Sequence, residues 1–160
     1  MKRFLQRLLR DSAGTNMVEA AVITPLLLLL TFAIADFSSM FYVYLALENG
    51  ASLATRYAVT GNTMPDPSNP SVQLSRTETI KAAMRQATPT LTIPDAAFSF
   101  HFMPPGSSTW QSGVGGPGDI GKLTVDYTWH LMTPLLRPFF TNGDFHVTVD
   151  SAMRNETRFQ

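Results

Sequence analysis

The chain has 160 residues, 44% hydrophobic and 15% charged, and its twelve basic side chains cancel its twelve acidic ones. That length suits one modest domain, and zero net charge offers nothing to recruit nucleic acid. The absence of cysteine excludes disulfide frameworks, Cys-based zinc sites and thiol catalysis. The apolar residues are concentrated, because from Ala20 to Leu47 the only charged side chain is Asp36.

Residues 1–14 form a basic leader in which Lys2, Arg3, Arg7 and Arg10 outweigh Asp11, four positive charges against one. This bias places the N-terminus in the cytoplasm and everything beyond an apolar span on the other side of the membrane. Residues 15–60 read as one hydrophobic helix, from about Asn16 to Thr60, whose N-terminal half crosses the bilayer. Ala20 to Ala35 would cover about 24 Å at the helical rise, slightly less than the ~30 Å hydrocarbon core. Asp36 is therefore expected at the outer interface, either as a solvated carboxylate or facing a partner. Pro25, inside the run, predicts a kink near its start.

Beyond Asp36, Phe37, Met40, Tyr44, Leu47, Ala51, Ala54 and Ala58 recur at alternating spacings of three and four. They draw one apolar stripe along the distal helix. The stripe is expected to face the domain's own core, with packing against another molecule's helix as the alternative. Gly61 and Asn62 supply the stop.

Residues 61–160 read as an outer α+β domain. Pro65, Pro67 and Pro70 mark residues 61–74 as a loop. Ser75 and Glu78 have capping-box spacing ahead of a short helix bearing Ile80, Ala83, Met84 and Ala87, closed by Pro89. Three alternating segments follow, Ala97 to Met103, Lys122 to Leu131 and Phe145 to Met153, and predict an antiparallel sheet of about three strands. Period-two alternation puts Phe98, Phe100, Phe102, Leu123, Val125, Tyr127, Trp129, Leu131, Phe145, Val147 and Val149 on the buried face. Residues 104–121 form a Gly-rich loop that lacks the ending of a phosphate-binding motif. Its Trp110 is an exposed apolar residue suited to a neighbouring subunit.

His101, His130 and His146 share the opposite face with Asp126 and Asp150. Pairing His130 with His146 would set Asp126 against Asp150, leaving that pair as a weak cation candidate and His101 too far away for a three-histidine metal site. No catalytic triad, zinc-protease motif or paired catalytic acid is identifiable, so no enzymatic activity and no cofactor is expected.

Gly14-Thr15-Asn16-Met17-Val18-Glu19, between the basic leader and the apolar run, resembles the type IV prepilin processing signal. The resemblance implies cutting between Gly14 and Thr15 by a prepilin peptidase, with Glu19 left to pair with the freed ammonium of an adjacent subunit. Two alternatives remain: an uncleaved anchor, and release by signal peptidase after Ala33-Ile34-Ala35. The processing-like motif, the Leu run ending in Ile34-Ala35-Asp36-Phe37, the Tyr127-Thr128-Trp129 strand before Thr133-Pro134-Leu135, and Ser151 to Glu156 together resemble the TadE-like family. This implies a minor pseudopilin of a tight-adherence (Flp) pilus in the bacterial inner membrane, with its outer domain periplasmic. Its implied partners are other pilins or pseudopilins and the pilus assembly machinery. Glu19 and Asp36 would then set helix register in the filament.

Overall fold

The computed structural model describes residues 12–134 and 136–159, so the charged residues of the leader lie outside the described part. Helix α1, Ser12–Val59, is continuous. It begins one turn earlier than its apolar pattern implies and carries Pro25 in its interior. Thr31, on the exposed apolar half, and Ser38, two residues past Asp36, donate their hydroxyls to the carbonyls of Leu27 and Ile34, so neither side chain leaves a donor unpaired. The helix ends where predicted. Gly61 adopts φ 73°, and a Cβ there would lie 2.3 Å from the Phe159 ring, so both backbone and packing require glycine.

The segment expected to be a loop contains a short hairpin, β1 Pro65–Asp66 and β2 Asn69–Gln73. The Asp66 carboxylate accepts from the Ser68 N–H at 2.8 Å and stabilises a turn that the prolines had masked. Helix α2, Arg76–Ala87, starts at Ser75, whose hydroxyl accepts from the Glu78 N–H at 3.2 Å. Only that half of the capping box forms, because the Glu78 carboxylate pairs with Lys81 at 2.8 Å instead.

The main sheet has four antiparallel strands rather than three: β3 Phe98–Met103, β4 Gln111–Ser112, β5 Ile120–His130 and β6 Asp144–Arg154, in the order β4-β3-β5-β6. The extra strand, β4, comes from the Gly-rich segment and pairs with β3 at His101 and Phe102. The predicted face is buried or half-buried as expected, with Leu123, Val125, Val147 and Val149 against the helices. Helix α1 packs on β5, β6 and α2. Its Val43, Leu47, Ala51 and Ala54 meet Ile80 and Met84 of α2, then Phe98 and the sheet valines, in one cluster. Each large aliphatic side chain in it contributes roughly 1.5–3 kcal/mol through burial.

The C-terminal tail and the Gly-rich segment meet at the distal tip of α1. Asn155 is buried, its side-chain amide donates to the Gly116 carbonyl at 2.8 Å, and the Glu156 N–H donates to the Val59 carbonyl at 3.1 Å. Arg76 donates to the carbonyls of Gly115 and Ala58 and lies over the Phe159 ring. Burial pushes its guanidinium pKa below the usual value. The Gly-rich segment is thereby tied to the end of the helix.

Candidate functional site

The candidate site is α1 itself, which divides at Asp36. Proximal to it, large apolar side chains are exposed one after another, including Met17, Val22, Leu26 to Leu30, Phe32 and Ile34. An 18-residue window reaches a mean hydropathy of 2.2 with none of it buried. A helix this long and apolar, with no described residue burying it, has the properties of a membrane span.

Distal to that point, one face is covered by the protein's own domain. The buried positions are Asp36, Met40, Val43, Leu47, Gly50, Ala51, Ala54 and Thr55, with Ala58 half-buried. This corrects two members of the expected stripe, since Phe37 and Tyr44 are exposed while Asp36 and Val43 take the inward positions. Spacings of three and four fit both rows, and a carboxylate had argued against the one that is used. Gly50 lies at the crossing with α2, where a Cβ would come within 2.6 Å of the Thr88 methyl.

Asp36 is fully buried, not a solvated interfacial carboxylate. Its Oδ1 accepts from the N–H groups of Met132 and Thr133 at 3.1 and 3.2 Å, and its Oδ2 accepts from the Thr133 hydroxyl. Three donors to one carboxylate make its burial tolerable. They also join the helix, where it leaves the apolar run, to the turn that follows β5.

At the other end, Gly14 and Thr15 lie in the first turns of α1. Among the described residues, a Cβ at Gly14 would meet nothing within 4 Å, so no described contact calls for glycine there. Glu19 is exposed at the edge of the apolar run and forms no ion pair with any described residue.

The cation candidate does not assemble. Strands β5 and β6 pair two residues out of the expected register: Asp126 stands opposite Thr148, Thr124 opposite Asp150, Thr128 opposite His146 and His130 opposite Asp144. Asp126 accepts from the Thr148 hydroxyl at 2.6 Å, and Asp150 accepts from Thr124 at 2.5 Å and from Lys122 at 3.4 Å. The Thr124 hydroxyl, followed by the Lys122 charge, holds the Asp150 pKa below the usual carboxylate value. His130 bonds Asp144, His146 bonds Thr128, and His101 stands opposite Lys122. Trp110 is exposed beneath the Lys122 ammonium, 5.4 Å from the ring centre.

Sequence spacing does not reveal the partners of Asp36 or the role of Asn155. A lone carboxylate in an apolar helix and a buried-type amide near the C-terminus were the available hints.

No curated protein and no solved structure matches the chain. The model of the TadE-like protein family matches residues 14–56, and this segment, which holds Gly14, Glu19, Asp36 and the packed face through Ala54, is TadE-like.

Proposed function

We propose that the protein is a minor pseudopilin of a tight-adherence pilus, held in the bacterial inner membrane by α1 with its sheet domain in the periplasm, and acting in pilus assembly. The TadE-like match over residues 14–56 carries this reading, because it covers the cleavage-like motif and the span together. The unexplained glycine supports processing. Glycine in a helix interior costs about 0.5–1 kcal/mol relative to alanine, and at Gly14 no described residue packs so closely as to require it. A peptidase that reads glycine at the cut does require it. With the leader removed, Glu19 at the edge of the span faces the Thr15 ammonium of an adjoining subunit, and that pairing offsets the cost of a carboxylate in lipid.

One observation favours a second reading. Intramolecular packing begins at Asp36, so release after Ala35 would leave the domain's contacts intact. N-terminal sequencing of the protein purified from cells distinguishes the readings. A Thr15 start supports prepilin-type processing, whereas an Asp36 start or an intact Met1 overturns it. Normal assembly by a cleaved Glu19→Ala variant would remove Glu19 from the mechanism. Unchanged fibre formation in a deletion strain would remove the assembly role.

A further inference from the structure

We propose that the turn after β5, through Met132 and Phe139, is a second membrane contact that inserts into the outer edge of the same bilayer and fixes the tilt of the sheet domain against it. This inference rests on the reading of α1 as a span. Its position follows from Asp36. Because that carboxylate binds the N–H groups of Met132 and Thr133, the turn sits on the helix one residue past Ala35, at the level where the apolar run ends. The turn exposes two large apolar side chains, Met132 at 68% and Phe139 at 81%, with Pro134 and Pro138 beside them, while Arg137, Thr141 and Asn142 are its exposed polar residues. Polar contacts on the protein side hold these residues outward. The Leu131 carbonyl is held by the Arg137 side chain at 3.1 and 3.3 Å, and the Leu131 N–H donates to Gly143.

The turn also continues an apolar surface that starts on α1 just past the span. The Phe140 ring meets Phe145 edge-on, and Phe145 closes a hollow with Phe37, Met40, Phe41 and Tyr44 of α1. Arg137 is the only charged residue in residues 131–143. A lone cation among aromatic and aliphatic side chains, beside a membrane-spanning helix, suits the zone where acyl chains meet phosphate headgroups. Water is the costly environment for this surface, and the bilayer is the nearest apolar phase.

The absence of cysteine permits single spin labels on the full chain without background. Labels are placed at Ile34→Cys, Met132→Cys, Phe139→Cys and Val72→Cys. Val72 lies on the exposed hairpin strand β2, which follows the far end of α1. The protein is reconstituted in vesicles of phosphatidylethanolamine with a minority of phosphatidylglycerol, and relaxation is compared with oxygen and with a water-soluble nickel chelate. Labels at 132 and 139 are expected to behave as the label at 34 does, relaxing several-fold more with oxygen than with nickel, and the label at 72 the reverse. Nickel-accessible labels at 132 and 139 beside a lipid-buried label at 34 overturn the inference and leave the span standing. Labels at 132 and 139 shielded from both reagents also overturn it, in favour of a protein partner on this surface. A nickel-accessible label at 34 removes the span and this inference together.

Discussion

A buried carboxylate is tolerable only where its oxygens are occupied, and Asp36 has donors on both. Replacing it with alanine leaves two backbone N–H groups and a hydroxyl without an acceptor inside the protein. Asp36→Ala should therefore lower unfolding free energy by about 2–4 kcal/mol. Asp36→Asn, which keeps one acceptor oxygen, should lose less, and thermal unfolding of the detergent-solubilised protein by circular dichroism would order the two. A second residue-scale prediction concerns pH. Asp95 accepts from Arg85 at 2.5 Å with Lys81 at 3.8 Å, and these cations hold its pKa below the usual carboxylate value, the Arg85 hydrogen bond most strongly. A depressed folded-state pKa means the stabilisation is complete above the ordinary value near ~4 and is lost as pH falls through the lower one. The wild type should lose melting temperature over that acid window more steeply than Asp95→Asn, and equal slopes would show that Asp95 contributes nothing there.

At the scale of elements, the contact between α1 and α2 depends on an absent side chain. Alanine is the better helix former by about 1 kcal/mol, so propensity alone makes Gly50→Ala stabilising. The Thr88 methyl at 2.6 Å and the Met84 sulfur at 3.1 Å from the site of the new Cβ reverse the sign. Overpacking should cost about 1–3 kcal/mol, read as a lowered denaturation midpoint for Gly50→Ala. The same crossing shows why the stripe was only partly legible. Apolar periodicity located a buried face on the distal helix, and Met40, Leu47, Ala51, Ala54 and Ala58 lie on it or at its edge. It could not choose between the rows through Phe37 and Tyr44 or through Asp36 and Val43, since that depends on where the β5 turn presents its N–H groups. The sheet behaves alike: alternation assigned the faces, while the pairing of Thr124 with Asp150 depends on turn geometry between the strands.

Across the whole molecule, the Gly-rich segment, the C-terminal tail and the distal end of α1 converge on Asn155. Its amide occupies the Gly116 carbonyl, and its N–H donates to Asp119. Asn155→Ala should cost about 0.5–1.5 kcal/mol by removing the shorter of two hydrogen bonds to that carbonyl, which keeps the Asp119 N–H at 3.3 Å. It should also raise amide hydrogen exchange across residues 113–119, and unchanged exchange there would mean that the segment is held by other contacts. The α+β arrangement, the long helix with its apolar half, the helix stop at Gly61 and the inward faces of three strands were determined by the sequence alone, because each follows from hydrophobic periodicity or a local backbone demand. The tertiary structure decided what occupies Asp36, which row of α1 is buried, the register of β5 with β6, and the hairpin and fourth strand within apparent loops. Those outcomes depend on donors, acceptors and steric gaps brought together from distant parts of the chain, which no local pattern encodes.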